Sequence, residues 1–241
     1  MGLNDKKNAE ILIIIPAYRE AENIEGLVNS IIDNYPQYDY VIINDGSKDA
    51  TRQICQKNGY NFIDLPINLG IGGAVQAGYK YAQREGYTIA VQIDGDGQHD
   101  VLQLDKVIEP LLCGTCDIVI GSRFIEKEGF QPSFMRRFGI RFLSGLIWAC
   151  TGKKFLDVTS GYRAVNRRFI EIYAENYPSD YPEPEAIVSA IMHKGKVMEI
   201  PVAMKERQAG ASSIHAWRSA YYMIKVTLAI LVCRVSFGIR R

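Results

Sequence analysis

Two aspartates stand out as residues able to do chemistry. Asp94 and Asp96 lie in the run Val91-Gln92-Ile93-Asp94-Gly95-Asp96-Gly97-Gln98-His99-Asp100. The first half, with Ile89 and Ala90 before it, is apolar and reads as a buried strand. The second half breaks into carboxylates spaced by glycines, which permit a sharp turn and a close ligand approach. Paired carboxylates at a strand end offer hard oxygen ligands to Mg²⁺ or Mn²⁺, the ions that hold phosphates. The same letters also describe an acidic β-turn. An EF-hand is excluded, because the twelfth-position Glu is missing and the flank is a strand.

The elements that must position these groups follow from the hydrophobic pattern. Ile11–Ile15 is a wholly apolar run ended by Pro16, as expected of a strand buried on both faces. A helical pattern follows at Ile24, Leu27, Val28, Ile31 and Ile32. Strands are expected at Asp39–Asn44 and Phe62–Leu65, the Asp94 strand comes next, and another is expected at Asp117–Ile120. Helices are expected between them, with Ser47 or Asp49 capping the one that runs toward Cys55. Strands alternating with helices predict a parallel α/β sheet with right-handed crossovers. Such sheets bind ligands at the carboxyl ends of their strands. Glu20, Asp45, Asn68 and the Asp94/Asp96 pair each follow a different predicted strand, so one sheet edge would collect them. Gly70, Gly72 and Gly73 do not fit the dinucleotide fingerprint, and no Walker A motif is present.

The second half differs in character. Residues 1–121 carry 9 Lys+Arg against 17 Asp+Glu, and residues 122–241 carry 19 against 10. An acidic half able to hold metal thus joins a basic half suited to phosphate or a membrane surface. The overall net charge of +1 argues against a nucleic-acid partner. Ser122-Arg123-Phe124 leaves a strand with a cation. Pro132–Thr151 is expected to be a helix, with Arg137 and Arg141 on one face and Phe134, Phe138, Phe142 and Leu146 among its apolar positions. Tyr181-Pro182-Glu183-Pro184-Glu185 opens another helix, and Val197–Val202 reads as a strand. The tail from Trp217 to Phe237 is mostly apolar and aromatic. Five cysteines make no disulfide framework in a chain of this size, and Cys113-Gly114-Thr115-Cys116 lacks a second pair for zinc. The polar start, Met1–Glu10, reads as neither signal nor transit peptide, so a cytoplasmic chain is expected.

Taken together, the motifs resemble the GT-A glycosyltransferases of family 2, in the branch containing dolichyl- and undecaprenyl-phosphate sugar transferases. The resemblance rests on Pro16-Ala17-Tyr18-Arg19-Glu20-Ala21-Glu22-Asn23-Ile24, Asn44-Asp45-Gly46-Ser47, Asn68-Leu69-Gly70, Asp94-Gly95-Asp96-Gly97-Gln98-His99, Gly121-Ser122-Arg123-Phe124 and Thr159-Ser160-Gly161-Tyr162-Arg163. These stretches occur in family order over roughly residues 11–215. Asn44 departs from the family pattern, which commonly has Asp there.

The resemblance implies a mixed, mainly parallel Rossmann-like sheet flanked by helices over 1–215, with a donor half to about 121 and an acceptor half to about 215. Residues 216–241 would form an amphipathic helical tail, interfacial or oligomerising. It implies an inverting, metal-dependent hexosyltransferase of cell-envelope glycan synthesis that uses a nucleotide-diphosphate sugar and Mg²⁺ or Mn²⁺. Its acceptor would be a polyprenyl phosphate or a lipid-linked saccharide. Pro16, Tyr18, Glu20 and Asp45 should line the nucleoside pocket, with Asn68, Gly70 and Gln98 also on the donor side. Asp94 should approach the ribose or sugar, and Asp96 should ligate the metal, with Asp94 and His99 as further candidate ligands. Arg123, Arg163 and Arg207 are candidates to neutralise the leaving diphosphate. Glu185, with Glu183 beside it, lies where many members place a catalytic carboxylate. A helix-stabilising carboxylate is the other reading of that position. The tail between Ala220 and Cys233 is too short to span a bilayer and contains Lys225. An interfacial helix with Trp217, Arg218, Tyr221 and Tyr222, or a helix packed on the domain or on a second copy, are the two readings of it. With Arg136, Arg137 and Arg141 toward lipid, the chain would sit peripherally on the inner face of the cell membrane. A transferase to a non-lipid saccharide hydroxyl and a non-catalytic nucleotide-sugar-binding or membrane adaptor remain as alternatives.

Overall fold

The structure is a computed structural model that describes residues 10–205 and 216–239, with side chains from 221 to 236 in the last helix. Seven strands form one sheet in the order β3-β2-β1-β4-β6-β5-β7. They are β1 (Ile11–Ala17), β2 (Asp39–Asn44), β3 (Phe62–Asp64), β4 (Ile89–Gln92), β5 (Ile118–Ser122), β6 (Arg163–Asn166) and β7 (Val197–Pro201). All neighbours pair in parallel except β6, which runs antiparallel to both β4 and β5. Helices α1 (Ile24–Asn34), α2 (Thr51–Lys57), α3 (Gly70–Glu85), α4 (Leu104–Leu112), α5 (Phe134–Thr151), α6 (Arg167–Glu175), α7 (Pro182–Met192) and α8 (Ala216–Ile239) complete the chain.

Strand β1 shows why the fold takes this form. Its side chains alternate across the sheet. Leu12 and Ile14 enter a core with α3, α5, α6, α7 and α8, while Ile11, Ile13 and Ile15 enter a second core with α1 and α4. Both faces are covered, which is why the strand reads as an unbroken apolar run. The strand continues through Pro16, which lies opposite Ile43 of β2 rather than ending the pairing. Pro16 needs no donor there, and its carbonyl accepts the Gly95 N–H at 3.1 Å. In α1, Ile32 is exposed, unlike the four buried residues of the pattern, Ile24, Leu27, Val28 and Ile31. Asp49 rather than Ser47 holds the start of α2, accepting from Thr51 N at 3.1 Å.

The basic half completes the same sheet. The expected α5 forms, but its buried face is Ile140, Leu143, Ser144 and Ile147. Phe134, Phe138 and Phe142 are exposed instead. Helix α8 packs on α5 and α7 through Val226 and Ile230. Tyr222 meets Tyr181 edge-on at 4.5 Å, and Lys225 Nζ lies 2.6 Å from Asp180 Oδ2. The outer face of α8 still exposes Tyr221, Ile224, Leu228, Val232 and Val235. Among the described residues, no helix is long and apolar enough to cross a membrane.

Candidate active site

Parallel strands β1 to β4 end on one edge, so the segments after Ala17, Asn44, Asp64 and Gln92 gather there. Antiparallel β6 delivers its amino end to the same edge, with Arg163 opposite Gln92. That register sets Thr159–Tyr162 against the aspartate loop. Gly161 is the point of contact: a Cβ there would lie 2.5 Å from Asp94 Oδ2. Glycine is what allows Asp94 to occupy its place.

Asp94 is held from several sides. Buried Gln92 donates its Nε2 to Asp94 Oδ1 at 2.9 Å. The Asp94 backbone N–H donates to His99 Nδ1 at 3.0 Å, while His99 Nε2 lies 3.7 Å from Asp94 Oδ2. With Nδ1 accepting, neutral His99 carries its proton on Nε2 and has no lone pair left for a metal. His99 is also only 4% exposed and stacks on Tyr162 at 4.9 Å. The structure therefore makes His99 a group that positions Asp94 rather than a metal ligand. Asp96 turns its Oδ1 back to the Gln98 N–H at 3.1 Å, so Gln98 shapes the loop through its backbone. Gln98 O in turn accepts from Lys205 N at 2.9 Å.

Among the described residues, no three His, Cys, Asp or Glu side chains form a ready metal cage. Asp96 and Asp94 beside an open edge nevertheless fit Mg²⁺ or Mn²⁺, which bind through one or two carboxylates and take remaining ligands from substrate phosphates.

On the donor side, Glu20 packs its Cγ toward Gly95 and accepts from Asn23 Nδ2 at 2.7 Å. Tyr18 is exposed at the rim, with the Arg19 guanidinium over its ring. Asp45 is buried, and its two oxygens accept from the N–H groups of Leu69 at 2.7 Å and Gly70 at 3.0 Å. Burial raises its pKa, and those two donors oppose the rise. Asn68 adds a bond from Nδ2 to Asp45 O at 3.2 Å. Asp45, Asn68 and Gly70 thus lock the end of β2 to the start of α3. Asn44 is buried and gives its Nδ2 to Asp64 at 2.6 Å.

The expected cations are differently employed. Arg123 Nε and Nη2 each reach an Asp157 oxygen at 2.6 Å, and both residues are buried. Its charge is already matched, so it is not a spare cation for a diphosphate. Arg163 is also buried and donates to the carbonyls of Ser160, Val158 and Glu183. It ties α7 to the Thr159–Tyr162 segment. Arg207 and the loop around it, from Glu206 to Ser213, lie outside the described residues, as do His215 and the side chains of Trp217 and Arg218. The cation that sequence reasoning assigned elsewhere is Arg136, read as facing lipid with Arg137. Its side chain is exposed, and its guanidinium lies in the field of Arg123, Asp157 and Asp96; partial desolvation, with the like charge of Arg123, lowers its pKa. Lys225 is likewise paired with Asp180 rather than turned toward lipid.

The two α7 carboxylates also separate. Glu183 is half-buried, and burial raises its pKa, with Arg163 opposing the rise and Asp94 adding to it. Glu185 is raised by burial alone, and its charge is felt instead by Cys233 of α8. The structure thus puts Glu183, not Glu185, on the side of Asp94. Asp157 and Gln92 carry roles that the sequence did not signal beyond a polar residue in a loop and one in an apolar strand.

Comparison with known proteins agrees with this fold. The model of the family described as Glycosyl transferase family 2 matches residues 12–173. The chain is 31% identical over 212 residues to UDP-N-acetylglucosamine--dolichyl-phosphate N-acetylglucosaminyltransferase of Methanococcus voltae, covering 80% of this chain and 84% of that protein. It is 28% identical to polyprenol monophosphomannose synthase of Mycolicibacterium smegmatis, covering 89% and 84%. In fold it is similar to glucosyl-3-phosphoglycerate synthase of Mycobacterium tuberculosis, crystallised with Mn²⁺ and uridine-diphosphate-glucose. The TM-score is 0.70 at 19% identity, over 96% of this chain and 80% of that one.

Proposed function

The chain belongs to glycosyl transferase family 2, and on that premise we propose that it moves a sugar from a nucleotide-diphosphate sugar to a polyprenyl phosphate, inverting the anomeric carbon. The observation that carries the reading is the position of Asp94 and Asp96 just beyond β4, with Glu20 in the loop after β1 and Glu183 of α7 within the field of Asp94. The named activities of the Methanococcus and Mycolicibacterium relatives support the acceptor class. Residues 1–121 serve the donor, and residues 122–215 serve the acceptor. Asp96 and Asp94 would hold a divalent cation, Mg²⁺ or Mn²⁺, which would supply Lewis-acid neutralisation of the diphosphate. Arg136 adds positive charge on the same side. An oxygen of the lipid phosphate attacks the anomeric carbon from the face opposite the nucleoside diphosphate, and the carbon–oxygen bond to the diphosphate breaks. That nucleophile is already anionic and needs no general base. Glu183 then acts as a positioning carboxylate; toward a saccharide hydroxyl it would serve as the base.

The enzyme works as a peripheral protein on the inner face of the cell membrane, in the synthesis of envelope glycans. The apolar outer face of α8 supports the membrane contact, although that helix is also packed on its own domain. The test is nucleoside diphosphate release from a panel of UDP- and GDP-sugars, with polyprenyl phosphate, a soluble saccharide or neither, before and after chelation. Release that needs both lipid phosphate and divalent metal is expected. Release driven by the saccharide alone would replace the acceptor, and no release from any donor would end the enzymatic reading.

A further inference from the structure

Helix α5 carries a feature that the catalytic edge does not use. A cavity of about 780 Å³ opens along its flank, walled by Lys127, Arg137, Arg141, Lys154, Phe124 and Trp148, with Ile140 and Ser144 of its buried face at the back. Four cations line it, and no Asp or Glu does. Among the described residues, none of the four is ion-paired; Arg137 donates only to the Pro132 carbonyl, at 3.0 Å. Its size falls within the range of small-molecule sites.

The cavity is separate from the reacting groups. Asp94, Asp96, Glu183 and Arg163 are not among its walls. Arg136 is the α5 cation in the field of Asp96. With about 3.6 residues per turn, Arg137 and Arg141 project roughly 100° and 140° away from Arg136 around the helix.

The neighbouring strip of α5 indicates what the cavity takes. Phe134, Phe138 and Phe142 recur every fourth residue and are 78%, 64% and 49% exposed. Trp148, on the cavity wall, is 58% exposed. Aromatic side chains bared beside a cluster of exposed cations form the pattern of a surface seated at the boundary between lipid headgroups and acyl chains. We propose that this cavity binds the phosphate headgroup of an anionic bilayer phospholipid, with the phenylalanine strip dipping into the acyl region alongside it. The proposal rests on the membrane-surface reading above. It adds a docking site distinct from the acceptor phosphate.

The experiment is co-sedimentation of the full chain with vesicles of phosphatidylcholine, alone or mixed with phosphatidylglycerol. The parent is compared with an Arg141→Gln/Lys154→Gln variant and with Lys57→Gln/Lys80→Gln, which removes the same charge from exposed positions on α2 and α3. Loss of two basic contacts should weaken binding to phosphatidylglycerol vesicles roughly 30-fold, and the remote pair should change it by no more than about twofold. Unchanged melting temperatures would show that the variants are folded. Equal losses in both variants would reduce the effect to net charge and overturn the site. Unchanged vesicle binding by Arg141→Gln/Lys154→Gln, with a raised KM for polyprenyl phosphate in neutral vesicles, would assign the cavity to the acceptor and also overturn it. A parent that binds neither vesicle would sink the membrane reading itself, and the proposal with it.

Discussion

Replacing Gly161 with alanine tests the site through one added methyl group. The new Cβ would stand 2.5 Å from Asp94 Oδ2 and 3.1 Å from its Cγ. Ordinary contact requires about 3.5 Å, so Asp94 must retreat by roughly 1 Å. It cannot do so freely, because Gln92 holds its Oδ1 and His99 holds its backbone N–H. A displacement of that size at a reacting centre costs on the order of 10²-fold in rate, or about 2.7 kcal/mol of transition-state stabilisation. The fold should pay less attention to the change: overpacking of about 1–3 kcal/mol lowers Tm by roughly 2–12 °C in a chain of this length. The assay is kcat/KM for the donor sugar, measured by nucleoside diphosphate release beside a thermal melt. Gly26→Ala is the control, since nothing lies within 4 Å of a Cβ at that α1 position. It should be neutral or stabilise by about 0.4–1 kcal/mol. A folded Gly161→Ala protein within about threefold of the parent in kcat/KM would refute the argument that Asp94 must sit where it does.

Other outcomes follow from the same geometry. Asp96→Asn should keep the fold and remove most turnover; near-normal rates in saturating Mn²⁺ or Mg²⁺ would sink its role at the diphosphate. Asp157→Leu leaves the Arg123 charge buried and should cost about 3–5 kcal/mol, seen as a fall in Tm of roughly 6–20 °C. Adding Arg123→Met should recover most of that loss, and a single variant costing under about 1 kcal/mol would contradict the buried-pair assignment. Glu183 has a folded pKa above its ordinary 4.5, so the folded chain holds this proton more tightly than the unfolded chain does. That stabilisation is complete below about pH 4.5 and fades as pH rises through the folded pKa. Glu183→Gln cannot lose a proton, so its Tm should gain on the parent's as pH rises from about 4.5 through the folded pKa; a constant difference would count against the shift.

Much of the sheet was readable in the letters because buried parallel strands leave a plain mark. Ile11–Ile15 and Val41–Ile43 are apolar on both faces, and polar loops follow each of them. The position of β6 was not readable. Arg163–Asn166 is short and mixed in polarity, and its place between β4 and β5 is set by pairing far along the chain. Partner choice was equally hidden. Arg123 and Arg163 declare a charge by their type, but only the fold shows that Asp157 matches one and that backbone carbonyls surround the other. Glu183 and Glu185 differ by about 200° around α7, enough to set one near Asp94 and Tyr222 and the other near Cys233. The α5 pattern predicted a helix correctly, while the choice of its buried side depended on where α7 and α8 came to rest.

The antiparallel strand also bears on how the protein is made. Strands β3, β2, β1 and β4 are contiguous in the sheet and early in the chain, so they can assemble as soon as they leave the ribosome. Strand β4 then waits for a partner on its other side until Arg163 emerges. Translation at about 5–20 residues per second makes that wait last several seconds. During it, Ile89–Gln92 presents unpaired amides and apolar side chains to its surroundings, an invitation to mispairing. Nascent chains halted before β6 should accordingly recruit chaperones or aggregate more readily than those halted after it, which makes this hidden strand the step that ends the hazard of synthesis.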